Sequence, residues 1–184
     1  LWVGSGGNRG CSRQSGRALG ELFSKHDIER TYWAYCYGCP RDFSGRITST
    51  IGRNPSDRKK MAADVKEGRE AITRYRVGRR YVNPGNPAAF ASRIDATLET
   101  GRTHQVRVHL TSLGCSVLGD PIYGVPTATQ AKWRALPKEA QEVVTQLPGQ
   151  ALHARVLGFR HPITGAALRF EAEPPPALVR LISA

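Results

Sequence analysis

The sequence predicts an α+β domain in which helices flank a largely antiparallel, mixed β-sheet. Short segments with strand-like alternation recur along the chain, most links between them have hairpin length, and only two or three segments have helical periodicity. Long strands alternating with helices are not part of the pattern, which disfavours a doubly wound fold. We expect residues 1–184 to form a single, partial domain, because this length suits one compact unit.

The first half of the chain is predicted to contain one helix and three strands. Residues 1–15 lack any period and predict an irregular segment, and apolar residues at helical spacing predict a short helix over 18–23. Strands are predicted over 28–38, 71–81 and 90–99. The basic stretch between the first two strands has turn chemistry at 53–60.

The second half begins with a change of period. Residues 103–113 predict a helix with Thr103 as its N-cap and Gly114 as its end. A second, longer and more polar helix is predicted over 130–146, and two strands over 152–159 and 168–172.

The net charge predicts a polyanionic partner. Lys and Arg total 27 against 15 acidic residues, giving +12, and a domain this basic gains affinity by releasing counterions from phosphates. A basic surface kept only for solubility is the alternative. No apolar run is long enough to span a bilayer, and neither a signal peptide nor a basic amphipathic helix is evident, so we expect no membrane role.

The four cysteines, Cys11, Cys36, Cys39 and Cys115, are too few and too scattered for a disulfide framework, which favours a reducing cytoplasm. Cys36 and Cys39 form an isolated C-x-x-C, whereas a structural zinc site needs four ligands. We therefore interpret their spacing as accidental and expect no metal.

The turn into the helix at 103–113 concentrates hydrogen-bond donors. Arg102, His104, Gln105 and Arg107 lie within six residues, beside a helix start whose free N–H groups can bind an anion. A plain basic helix start on the surface is the alternative. Four polar donors in so short a stretch favour an anion site.

Residues 98–110 and 113–124 carry a longer pattern, LETGRTHQVRVHL followed by LGCSVLGDPIYG. This pattern resembles the most diagnostic motif of RluA-type RNA pseudouridine synthases. Weaker matches to that family extend from Ala18 onward, at 30–38, 59–62, 71–75, 152–154 and 159–165.

The resemblance implies isomerisation of uridine to pseudouridine in ribosomal or transfer RNA, without cofactor or metal. We take a monomer as the default oligomeric state. It implies that Tyr32 packs beneath the uracil and that Arg107 pairs with a catalytic aspartate. A core position is the alternative for Tyr32. The RNA contacts are expected from Arg102, which meets a phosphate, from His104 and Gln105, and from the basic residues Arg58, Lys59 and Lys60. A solvated charged face is the alternative for these last three.

The aspartate of the family's HRLDxxTSG motif is not found in the sequence. Its place is just before residue 1, and a truncation, a frameshift or a decayed copy would each explain this. None of Asp27, Asp42, Asp57, Asp64, Asp95 and Asp120 lies in such a motif. We therefore expect this chain to bind RNA but to be inactive. One alternative is a non-catalytic RNA-binding relative, such as a ribosome-assembly factor. A small basic nucleic-acid-binding module ranks last, because no RRM signature, GXXG loop or zinc finger is found.

Overall fold

The computed structural model describes residues 28–124 and 130–183. These residues form a seven-stranded sheet in the order β3-β2-β4-β5-β1-β6-β7, and every neighbouring pair is antiparallel. The predicted α+β class is confirmed. The segment 1–15 and the helix predicted over 18–23 lie outside the described residues.

The strands are β1 (Ile28–Tyr37), β2 (Ser44–Arg53), β3 (Met61–Ala63), β4 (Arg69–Val82), β5 (Ala89–Leu98), β6 (Leu152–Arg160) and β7 (Ala167–Glu171). The helices are α1 (Gln105–Ser112), α2 (Ala131–Arg134), α3 (Lys138–Thr145) and α4 (Pro176–Ser183). None of these helices is both long and apolar enough to cross a bilayer.

Strand β1 lies inside the sheet and has both of its faces covered. It pairs with β5 on one side and β6 on the other. Alternate residues of a strand point to opposite faces, so Tyr32 and Tyr35 lie on opposite sides of the sheet. The Tyr35 face packs against apolar side chains of α2–α4 and the residues that flank them, including Leu136, Ala140 and Leu181. The aromatic composition of β1 therefore reflects burial on two sides.

Strands β4 and β5 show the predicted alternation. Ala71, Thr73 and Tyr75 are buried on β4, while the intervening Arg74 and Arg76 are exposed. Helix α1 covers the Thr73 face, where His109 Nδ1 lies 2.8 Å from Thr73 Oγ1. This face of the sheet carries the residues of the candidate site.

Gly114 ends the α1 region as predicted. Its φ of +73° is a left-handed conformation that favours glycine. The N–H of Gly114 donates to Thr111 O, and that of Cys115 donates to Leu110 O, both at 2.9 Å. This pair of bonds is a Schellman motif, which satisfies the last carbonyls of the helix.

The structure corrects the prediction for residues 130–146. The segment forms two helices, α2 and α3, because Pro137 interrupts it with an extended ψ of 151°. Proline also lacks the N–H needed to continue a helical ladder, so α3 starts afresh at Lys138.

The sequence pattern does not predict three of the observed elements, namely strands β2 and β3 and helix α4. Strand β2 was treated as part of a basic stretch, because its sequence SGRITSTIGR has few apolar residues and only Ile51 is fully buried. Helix α4 follows a run of prolines and packs Leu178 and Leu181 into the core.

Candidate nucleic-acid site

The turn between β5 and α1 forms the centre of the candidate site. His104 adopts a left-handed conformation with φ of 58°, and the helix begins only at Gln105. The expectation that Thr103 caps the helix is therefore wrong. His104 occupies the N-cap position, and its side chain makes no capping bond.

Gln105 holds this turn against the sheet. Its side-chain oxygen accepts from the Arg102 N–H and the Thr100 hydroxyl, both at 2.9 Å. Its amide donates to Ile72 O at 2.9 Å and to Thr73 Oγ1 at 3.0 Å. The side chain is buried, and both its amide group and its oxygen are bonded to other groups of the protein. This placement argues against the direct RNA contact expected for Gln105, and gives it a positioning role instead.

Arg107 forms a buried, two-pronged ion pair with Asp120. Its Nε and Nη2 donate to the two carboxylate oxygens at 2.7 and 2.6 Å. Burial opposes ionisation of Asp120, but bonds from Arg107 and from the N–H groups of Ile122 and Tyr123 hold its pKa below the ordinary value. Two of the five guanidinium N–H donors are thus committed, and Arg107 is fixed in orientation.

Tyr123 joins three segments of the site. Its hydroxyl accepts the Met61 N–H at 2.7 Å and lies 3.0 Å from His104 Nδ1. Its ring also lies beneath the Arg107 guanidinium, at 4.9 Å from Cζ to the ring centroid. Burial, and then the charge of Arg107, lower the pKa of His104. We expect a neutral His104 whose Nδ1 accepts a hydrogen bond from the Tyr123 hydroxyl.

The basic residues Arg58, Lys59 and Lys60 lie immediately before Met61, so Tyr123 ties their loop to α1. Arg58 and Lys59 are exposed and take no part in the ion pairs of the described residues, while Lys60 lies 3.6 Å from Asp57. The structure therefore brings this loop next to His104 and Arg107.

His109 is fully buried one turn further along α1. Its two ring nitrogens lie 2.8 Å from Thr73 Oγ1 and 2.9 Å from Ser49 Oγ. Burial lowers its pKa to about 4. A neutral imidazole donates through one nitrogen and accepts through the other, so His109 links α1 to β4 and β2.

Tyr32 and Arg30 lie on β1, on the same face as each other. Tyr32 is half-buried between Ala96 of β5 and Ala154 of β6, at a break in register. Arg30 is buried and approaches the turn at Gly101. Sequence reasoning gave Arg30 no role.

The RNA pseudouridylate synthase family model matches residues 10–112. The chain belongs to this family. The match covers more than half of the chain, which shows the membership. Together with the similar ribosomal large subunit pseudouridine synthases D, this match confirms the resemblance to RluA-type enzymes.

Three relatives illustrate the similarity. An uncharacterized RNA pseudouridine synthase of Chlorobaculum parvum is 41% identical over 165 residues, and the ribosomal large subunit pseudouridine synthase D of Zymomonas mobilis is 41% identical over 162. The chloroplastic RNA pseudouridine synthase 2 of Arabidopsis thaliana is 36% identical over 175. These matches cover 85%, 85% and 89% of this chain but only 47%, 45% and 40% of the relatives. The chain thus spans less than half of their length.

Solved structures show the same fold. The human RNA pseudouridylate synthase domain containing 4 superimposes with a TM-score of 0.68 at 24% identity, covering 94% of this chain and 67% of the human one. The human domain containing 1 gives a TM-score of 0.67 at 23% identity, covering 91% of this chain and 64% of the human one.

Asp120 and Tyr123 are site residues to which sequence reasoning assigned no role. Both belong to the GD..YG part of the pattern, which was the available signal. Their partners lie 13 to 62 residues away in the chain, so only the fold shows the contacts.

Proposed function

We propose that this chain is the body of an RNA pseudouridine synthase that isomerises uridine within ribosomal or transfer RNA. The carrying observation is the fixed Arg107 guanidinium beside Tyr123 and His104. In the reaction the bond from C1′ to the uracil nitrogen breaks, the uracil turns, and C1′ bonds to C5. The proton on C5 is then released.

Tyr32 and Arg107 have distinct roles in this proposal. Tyr32 packs beneath the uracil, supported by its half-buried place between two alanines. Arg107 directs its remaining N–H donors at the carboxylate of the catalytic aspartate. The motif that carries this aspartate in the family is not found among these 184 residues. Asp120 holds Arg107 in place and is not the nucleophile.

The RNA is held from two sides in this proposal. Arg102 and His104 contact it at the α1 turn, and Arg58, Lys59 and Lys60 hold the strand displaced when the uridine leaves its stack. Exposure of Arg58 and Lys59 without carboxylate partners among the described residues supports this arrangement. A monomer in the cytoplasm stays our prediction, although one relative is named as chloroplastic.

Tritium release tests the proposal. RNA carrying uridine tritiated at C5 is incubated with the 184-residue chain, and with the chain joined to an upstream HRLD-containing segment. A third protein carries asparagine in place of the motif's aspartate. We expect release from the joined protein alone, since the new bond between C1′ and C5 displaces the C5 hydrogen into solvent.

The other outcomes are informative. Release by the 184-residue chain alone would contradict the assignment of the nucleophile to a segment outside these residues. Bound RNA with no release from any protein would favour the non-catalytic RNA-binding relative.

A further inference from the structure

Arg30 is a buried guanidinium, and two of its three nitrogens have no hydrogen-bond partner in the part of the chain that the structure describes. Only 7% of the residue is exposed. Its Nε and Nη2 are inaccessible and make no hydrogen bond. Burying a charged donor without an acceptor opposes folding, so a buried arginine of this kind calls for an anion in the working complex.

Gly101 brings the turn before α1 directly onto this guanidinium. A Cβ built at position 101 would lie 2.2 Å from Arg30 Nη1. Any larger residue would push the arginine aside. Gly101 and Thr103 are exposed, so the turn that covers Arg30 is itself open to solvent.

A second cation lies beside the first. Burial lowers the pKa of Arg30, Tyr32 acts in the opposite direction, and the nearby charge of Arg102 lowers it further. Arg102 donates its Nε to Glu70 O at 2.8 Å, which leaves its outer nitrogens for other groups. Neither arginine takes part in the ion pairs seen among residues 28–124 and 130–183.

The amino end of α1 adds to this positive environment. The helix has eight residues, and its first turn contains no acidic side chain that would neutralise the positive end of its dipole. The Arg30 guanidinium, the residue Arg102 and the amino end of α1 therefore all lie at the turn around Gly101. This is the chemistry of an oxyanion site.

We propose that Arg30 and Arg102, held together by Gly101, bind one phosphodiester of the substrate RNA. The inference rests on the proposed function, because an RNA substrate supplies the phosphate. Arg30 lies two residues before Tyr32 on the same face of β1, roughly 7 Å along the strand. The phosphate therefore belongs to the target uridine or its immediate neighbour, which fixes the position of the flipped nucleotide.

A phosphodiester fits better than a carboxylate of the protein itself. Gly101 and Thr103 of the covering turn are exposed, so a ligand from solvent meets this turn first and must displace it to reach Nε and Nη2 of Arg30. A planar guanidinium offers two parallel N–H donors, and a phosphodiester offers two equivalent oxygens. A protein carboxylate would instead make Arg30 a stabilising structural residue, and this difference can be measured.

The test compares Arg30→Met with Arg160→Met in the 184-residue chain. Arg160 lies exposed at the end of β6 and serves as the matched loss of one charge. The midpoint of thermal unfolding is measured without RNA. The affinity for a fluorescein-labelled stem-loop RNA is measured by anisotropy between 50 and 200 mM salt.

We expect Arg30→Met to leave the unfolding midpoint unchanged or raised, since an unpartnered buried charge is replaced by an apolar chain of similar length. The same change weakens RNA binding about tenfold, as loss of one charge-assisted contact does, and lowers the salt slope by about 0.7 to 0.9. Arg160→Met leaves the affinity within about twofold, as expected for an exposed residue outside the site.

The opposite pattern overturns the site. A lowered midpoint with unchanged RNA affinity would identify a protein carboxylate as the partner of Arg30. Normal RNA binding by the unsubstituted chain with an unaltered slope in Arg30→Met would overturn this site but not the proposed function. Absence of RNA binding by the unsubstituted chain would overturn both.

Discussion

The carboxylate of Asp120 and the guanidinium of Arg107 are both nearly inaccessible, with side chains 0% and 8% exposed. Such a pair contributes little net free energy compared with apolar residues, but removing one partner leaves the other charge buried and unsatisfied. The effects of substituting the two residues on the stability of the protein are therefore strongly coupled. Any functional test of Arg107 has to separate folding from chemistry.

Arg107→Ala in the complete protein should abolish turnover and largely preserve RNA binding. It should also lower the free energy of unfolding by about 3 kcal/mol, because Asp120 loses its partner. Turnover is measured by tritium release and stability by urea unfolding. The double variant Arg107→Met/Asp120→Asn serves as control and should recover stability without recovering turnover. Wild-type turnover by Arg107→Ala would remove this residue from the site.

His109 should make the protein less stable in acid. Its pKa is about 4 in the folded state and about 6.5 when unfolded, so the unfolded chain binds the proton more tightly. The neutral ring's contribution is complete above about pH 6.5 and is lost as pH falls towards 4, by up to about 3 kcal/mol. Nearby Asp64 acts in the opposite direction and reduces this loss.

Urea unfolding between pH 4 and 7 measures this dependence. His109→Gln should flatten the curve over that range, because glutamine does not titrate. His153→Gln, at a half-buried position on β6, should retain the wild-type dependence. Equal curves for wild type and His109→Gln would show that other groups cause the acid sensitivity.

The site was predicted in outline but not in detail. The pattern around Arg107 placed a helix start and several donors together, and the structure confirms that proximity for Arg102, His104 and Arg107. The sequence pattern could not show that Gln105 points inward. The burial of Gln105 depends on β4, which lies some 30 residues earlier in the chain. Tertiary contacts decided what local spacing left open.

At the scale of elements, success followed apolar periodicity. Strands β1, β4 and β5 were found because each carries a buried side-chain row. Strand β2 was missed because its partners, rather than its own side chains, hold it in place through backbone bonds to β4 and β3. Pro137 was a visible signal for the break between α2 and α3, but the polar pattern on both sides concealed it.

The Schellman turn after α1 leads to a stability prediction. Gly114→Ala should cost about 1 kcal/mol, because alanine disfavours the left-handed φ of +73° even though the added Cβ would have open space apart from Lys132 Nζ at 4.0 Å. Gly149→Ala is the matched control, since a Cβ there also meets open space and φ is not in the left-handed region. Unfolding in guanidinium chloride measures the free energy of unfolding of both variants. Equal stability of the two variants would contradict the assigned strain.

At the scale of the molecule, carboxylates pair with the arginines in some regions of the surface and not in others. On the sheet face opposite α1, Glu99 pairs with Arg46 and Arg74, and Asp95 pairs with Arg76 and Arg93. These arginines are partly neutralised. The described cations that form no ion pair include Arg30 and Arg102 at the α1 turn and Arg58 and Lys59 in the loop before β3.

Arg102→Ala should therefore weaken RNA binding and reduce its salt dependence. Loss of one phosphate contact lowers the slope of log affinity against log salt by about 0.7 to 0.9. Anisotropy titrations at several salt concentrations measure the slope. Arg74→Ala, which removes a charge already paired with Glu99, should change it much less. An unchanged slope in Arg102→Ala would count against a phosphate contact.

The central position of β1 also dictates the order in which this chain can fold. Its neighbours β5 and β6 end at residues 98 and 160, so the ribosome adds 123 residues after residue 37 before both pairings are possible. At typical speeds of synthesis this takes roughly 6 to 25 seconds. During that time an aromatic-rich strand has at least one open edge, which can pair with a wrong strand. The nascent chain is thus most exposed to aggregation in its future core, and a holding chaperone would be most effective there.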